Sequence, residues 1–176
     1  MEISVDSIKE LREMTSCGVI ECKKALQEAN GDMVKAKEIL QRRGLEIAAK
    51  KGSRLAKEGR IEAYIHPGSK IGVLVEVNCE TDFVAKNEDF CKFTKDLAMQ
   101  IAAAHPKYIK REDVSEDVLK EQDDRETFIK EKCLVEQPFV KDPKKTIQDC
   151  INALIASIGE NIYISRFARY KVNEIE

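Results

Sequence analysis

At 176 residues, with 43% hydrophobic and 35% charged residues, the chain suits one medium domain or a small module joined to a larger one. It has no Trp and only 6% aromatics, so its core must be built from Ile, Val, Leu and Ala. A net charge of −2 and a pI near 5.9 exclude the electrostatic footprint of a dedicated nucleic-acid binder.

The opening residues MEISVDSIKELREMTS lack a basic segment followed by an apolar core, and so predict no secretory leader. No apolar run approaches the roughly 20 residues that span a bilayer, so the expected location is the cytoplasm. Six cysteines (Cys17, Cys22, Cys79, Cys91, Cys133, Cys150) form no C-x-x-C pair, and His66 and His105 stand apart from them. This spacing predicts no metal site, and reduced thiols acting as small buried hydrophobes.

Residues 1–54 read as three helices. Val5, Ile8, Leu11 and Met14 recur at helical spacing, with Ser4 and Ser7 as caps and Ser7–Glu10 matching a capping box. The turn Thr15-Ser16-Cys17-Gly18 ends this helix. In the second, Val19, Cys22, Leu26 and Ala29 share a face, and Asn30-Gly31 supplies a left-handed stop. Asp32 caps the third, whose stripe is Met33, Ala36, Ile39 and Leu40. Residues 35–60 carry nine Lys/Arg against three Asp/Glu, which reads as a solvated helix face running into a linker near Gly52.

The pattern then changes to period two. Ile61, Ala63 and Ile65 alternate with Glu62, Tyr64 and His66, and after Pro67-Gly68-Ser69-Lys70 the apolar Ile71, Val73, Val75 and Val77 follow at alternate positions. This predicts a hairpin with one buried face. Phe90, Phe93, Leu97 and Ile101 return to helical spacing, ended by His105-Pro106. Residues 110–132, with six Lys/Arg and nine Asp/Glu, suggest one exposed helix or two short ones. Asp142-Pro143 reads as a helix start, with the stripe Ile147, Ile151, Leu154 and Ile158 and a stop at Gly159. The tail from Asn161 to Val172 reads as a strand, with Ile162 and Ile164 on one side and Tyr163 and Phe167 on the other. Helices, then two strands, then helices, then a strand make an α+β chain.

Sequence signals for catalysis are absent. There is no G-x-x-x-x-G-K-[ST], no G-x-G-x-x-G and no G-x-S-x-G, and His66 beside Pro67 reads as a surface or packing histidine. The chain is therefore expected to bind rather than catalyse and to need no cofactor.

The sharpest segment is Ile71 to Asn87, IGVLVEVNCETDFVAKN. On residue physics alone, Thr81 or Asp82 caps a helix here and Phe83 folds back into the core. The whole string, however, resembles the signature of the elongation factor Ts family. ELREMTSCGVIECKKALQEANGD resembles that family's opening helices, and EQPFVKD and GENIYISRFARY are similar to later segments in the expected order.

The resemblance implies a ubiquitin-associated-like three-helix module over residues 1–54. A core of a small antiparallel sheet plus helices would follow over residues 55–176. It implies binding to elongation factor Tu and release of GDP from it. It implies that Asp82 and Phe83 reach the partner's GTPase domain and that Arg12, Val19 and Ile20 dock on a helix of that domain. Ser16-Cys17-Gly18-Val19-Ile20 departs from the family's Gly-Ala-Gly-Met-Met and gives up the adaptable Met side chains. Longer members repeat the core subdomain. This chain has room for one copy, so a homodimer would supply the second surface. Neither a membrane nor a nucleic acid is expected as a partner.

Overall fold

The structure, a computed structural model, describes residues 3–15 and 17–174; Ser16 of the predicted turn lies outside the described residues. Two compact units are present, one made of residues 1–55 with 151–161, the other of 56–150 with 162–176. Helix and strand types match an α+β chain.

The first unit opens with α1 (Val5–Thr15), α2 (Val19–Glu28) and α3 (Met33–Lys51). Ser4 is the cap of α1: its Oγ accepts from the Ser7 N–H at 3.1 Å, which places Ser7 inside the helix and removes the predicted Ser7–Glu10 box. Asn30 and Gly31 both adopt positive φ, and the Gly31 N–H donates to the Leu26 carbonyl at 2.8 Å. The next helix starts at once, because Asp32 accepts from the Val34 and Lys35 amides at 2.9 and 3.1 Å. Leu11, Cys22, Ala25, Leu26, Ala36 and Leu40 form the small core between the three helices. Val19 does not join Cys22 there; it is exposed at the first turn of α2.

In the second unit β1 (Glu58–Ile65), β2 (Ile71–Cys79) and β5 (Tyr163–Lys171) form an antiparallel sheet in the order β1-β2-β5. Helix α5 (Glu88–Ala104) packs on β1 and β2. Val73, Val75 and Val77 point inward to Phe90, Leu97 and Ile101, all buried. The expected alternation is present in β1, but its phase is inverted. Ile61 and Ile65 are each 64% exposed, while Arg60, Glu62 and Tyr64 face the helix side. Polar partners on α5 explain the inversion and are described below. In β5 a register shift opposite Glu76/Val77 leaves Ser165 as an extra residue. Ile164 therefore pairs with Val77 and Phe167 with Val75 on the same inner face, correcting the expected placement of Phe167 opposite Ile164.

Residues 111–136 form two short helices, α6 (Glu116–Lys120) and α7 (Arg125–Lys132), flanked by single 3-10 turns. Asp142-Pro143 opens a strand instead of a helix: β4 (Asp142–Thr146) pairs with β3 (Pro138–Phe139). Proline is tolerated in so short an edge strand. Helix α8 (Ile147–Ile158) starts five residues after Asp142, at a reciprocal box. The Asp149 N–H donates to Thr146 Oγ1 at 3.1 Å, and the Thr146 N–H donates to Asp149 Oδ2 at 2.9 Å.

Gly59 is required by close approach. A Cβ at this position would lie 2.5 Å from the Val77 carbonyl oxygen. Gly59→Ala is expected to cost about 1–3 kcal/mol by forcing β1 away from β2. Urea unfolding of the two proteins measures it, and equal midpoints would show that the strands part without cost.

Candidate interaction surface

The end of β2 sets the candidate site. After Cys79 the chain turns into a one-turn helix, α4 (Asp82–Ala85). Thr81 caps it, its Oγ1 accepting from the Val84 N–H at 3.4 Å. Within this turn Val84 is the residue that points inward, and Phe83 stands 82% exposed. An aromatic ring this exposed has no packing role in the chain that carries it.

Asp82 lies beside Phe83, and its Oδ2 accepts from Lys86 Nζ at 2.8 Å. This hydrogen bond holds the Asp82 carboxyl below its ordinary value and pushes the Lys86 ammonium up. Because the carboxyl's folded value is depressed, the pair is fully formed above the unfolded carboxylate range and is lost as pH falls through the folded value.

In the helical unit, Arg12 lies exposed on α1 and Val19 and Ile20 open α2, with Ile20 68% exposed. Gly18 is the N-cap of α2, in extended conformation, and a Cβ there would meet nothing within 4 Å. The two apolar side chains thus follow a bare backbone cap. Asp82 and Phe83 belong to one unit; Arg12, Val19 and Ile20 belong to the other.

The thiols are all free, and no cluster of three or more His, Cys, Asp or Glu side chains suited to a metal occurs among the described residues. Cys22, Cys79 and Cys133 are buried, whereas Cys17, Cys91 and Cys150 are half-buried, which corrects the expectation that all six pack as core. Burial pushes the Cys133 thiol up to about 11 and raises Cys22 and Cys150 as well, which suppresses their nucleophilic thiolate forms. His66 is exposed, with its Nδ1 3.1 Å from the Tyr64 hydroxyl. No helix among the described residues is long and apolar enough to cross a membrane.

The sequence model of the family described as Elongation factor TS matches residues 5–127 and 124–174. The chain belongs to the elongation factor Ts family. It is 51% identical to the elongation factor Ts of Caldanaerobacter subterraneus subsp. tengcongensis, with 98% of each chain covered. To that of a Thermoanaerobacter species it is 52% identical, over 98% of this chain and 96% of the relative. To that of Desulforamulus reducens it is 50% identical, over 98% and 90%.

Two features of this elongation factor Ts fold escaped sequence reasoning. The first is Lys86 as the clamp on Asp82, for which the sequence carries a local signal, since the two stand four residues apart around a helical turn. The second is the outer face of the sheet, where Ile61, Ile65, Leu74 and Tyr170 are 64%, 64%, 50% and 71% exposed. The register sets Ala63 beside Leu74 and Leu74 beside Ala168, so the apolar surface is continuous across all three strands. A period-two pattern identifies residues that share a face and leaves open which face is covered.

Proposed function

We propose that this chain is a guanine nucleotide exchange factor of translation elongation. It binds elongation factor Tu carrying GDP and promotes GDP release, so that GTP can rebind. The observation that carries this reading is Phe83, an exposed aromatic ring on a capped helical turn directly after a buried strand. Family membership gives the reading its partner.

The mechanism follows from linkage. A nucleotide in such a GTPase is held by backbone amides of a phosphate loop, by that loop's Lys and by Mg²⁺. A protein that binds the nucleotide-free form more tightly must weaken nucleotide affinity by the same factor. Phe83 acts as an apolar wedge at the GTPase domain, and Asp82, aligned by Lys86, acts as its polar partner. No proton transfer or nucleophile from this chain is needed, so it exchanges without catalysing a bond change and without a cofactor.

In this reading residues 1–54 are the ubiquitin-associated-like docking module and residues 55–176 the core, working in the cytoplasm. Arg12, Val19 and Ile20 contact a helix of the same GTPase domain. The outer sheet face takes a second copy of the chain, forming a homodimer around the single core copy.

The direct test is release of a fluorescent GDP analogue from elongation factor Tu, with and without this protein. Accelerated release supports the proposal, and an unchanged rate at saturating protein overturns it. Docking is tested by Ile20→Asp, which places a charge in an apolar contact. Calorimetric affinity for the nucleotide-free GTPase is expected to fall about 10- to 100-fold. Because Ile20 is exposed, the melting temperature should hold; unchanged affinity would remove the module from the interface.

A further inference from the structure

The polar residues on the inner face of β1 have a use that their burial alone does not explain. Arg60 Nε donates to Glu62 Oε2 at 2.9 Å, and Thr94 Oγ1, whose hydroxyl donates to the Cys91 carbonyl at 2.9 Å, lies 3.4 Å from the same oxygen. The guanidinium, oriented by that carboxylate, donates through Nη1 to the Cys91 sulfur at 3.3 Å. The Cys91 Sγ in turn donates to the carbonyl of Ala85 at 3.6 Å. A thiol offers one weak donor and one weak acceptor, and here both are engaged.

Ala85 is the last residue of α4, two positions after Phe83. A single turn of four residues is far below the length that holds a helix together by itself. The carbonyls of Phe83 and Val84 accept from the Lys86 and Asn87 N–H groups at 3.3 and 2.9 Å, and that of Ala85 accepts from Cys91. Val84 alone of its four side chains is buried, and the Asp82–Lys86 pair is exposed and therefore of little stabilising value. The Cys91 contact thus reaches α4 from α5 at its last carbonyl and ties the short turn to a long helix.

We propose that Cys91 and Arg60 are positioning residues for Phe83. Arg60 fixes the Cys91 thiol so that its S–H points at the Ala85 carbonyl, and this bond holds the turn that presents the ring. This explains why β1 turns its polar row inward. The proposal rests on the exchange reading for its functional consequence but not for its structural one.

The test uses the full chain with Cys91→Ala, which removes donor and acceptor while keeping a good helix former on α5, and Cys91→Ser, which keeps both. Hydrogen exchange at the Ala85, Lys86 and Asn87 amides is measured beside the rate constant for GDP-analogue release at subsaturating protein. In Cys91→Ala, faster amide exchange and release slowed about fivefold are expected. The melting temperature should stay near that of the parent, and Cys91→Ser should restore both readouts. Unchanged amide exchange in Cys91→Ala overturns the proposal. So does a loss of release in both variants that tracks their melting temperatures. If the parent protein releases no GDP, the exchange reading fails, and the amide comparison still decides the hold on α4.

Discussion

Phe83→Ala is expected to slow GDP release from elongation factor Tu by two orders of magnitude while leaving the fold intact. The free protein has little to lose: with the ring 82% exposed, truncation should change unfolding free energy by no more than about 0.5 kcal/mol. In a complex, an aromatic anchor that is fully desolvated is worth about 2–4 kcal/mol on truncation, a factor of roughly 30 to 1,000. Val84→Ala supplies the contrast on the same turn. That side chain is nearly buried, so its truncation should lower stability by about 1 kcal/mol or more. Stopped-flow release assays and thermal melts on both variants separate the two roles. If Phe83→Ala melts early and releases nucleotide normally per folded molecule, the ring serves the fold and the wedge is elsewhere.

Residue physics placed Phe83 in the core, whereas the family resemblance placed it at a surface, and its exposure follows the second. Residue physics does place a cap here, at Thr81 or Asp82, and Thr81 is the residue that caps. A cap fixes where a turn begins, and one turn has room to bury one side chain of the pair Phe83-Val84. Which of the two goes inward depends on what lies beneath, and that is tertiary information.

Helix ends were the most legible part of the fold. Asp32, Asn30-Gly31 and Gly159 each act through a local hydrogen bond or a left-handed backbone, so a few residues suffice to specify them. Asp142-Pro143 failed for the same local reason. Proline suits a helix start and an edge strand alike, and the β3 partner that decides between them lies in a segment with no apolar alternation. The T-x-x-D spacing of Thr146 and Asp149 was the better local signal. The inverted phase of β1 could not be read locally at all. It depends on Cys91 and Thr94, about 30 residues away, offering polar partners to Arg60 and Glu62. The bulge at Ser165 likewise moves Phe167 across the sheet with no mark in the sequence.

Leu74→Glu is expected to abolish homodimers. The sheet has α5 on one side, and its other side carries Ile61, Ile65, Leu74 and Tyr170 in the open. A layered domain buries such a face against a second layer, and a second copy is a self-complementary one when a two-fold axis relates them. Gly72 adds to the flatness of the face, for the Ile65 Cδ1 lies 3.2 Å from where its Cβ would be. At the centre of the exposed residues, a Glu at position 74 would bring two carboxylates into an apolar interface. Burying them unpaired costs several kcal/mol, enough to raise the dimer dissociation constant at least about 100-fold. The intact Glu76–Arg166 pair, at 2.7 Å on the same face, shows the alternative of a charge with its partner beside it. Pairing through the free edges of β1 or β5 would instead survive the substitution, because edge association uses backbone groups and not the Leu74 side chain. Light scattering over a concentration series therefore discriminates. A parent dimer that Leu74→Glu converts to monomer, with unchanged circular dichroism, places the contact on the sheet face. A parent that is monomeric at every concentration, yet active in GDP release, would show that one core copy is sufficient and leave this apolar face to another partner.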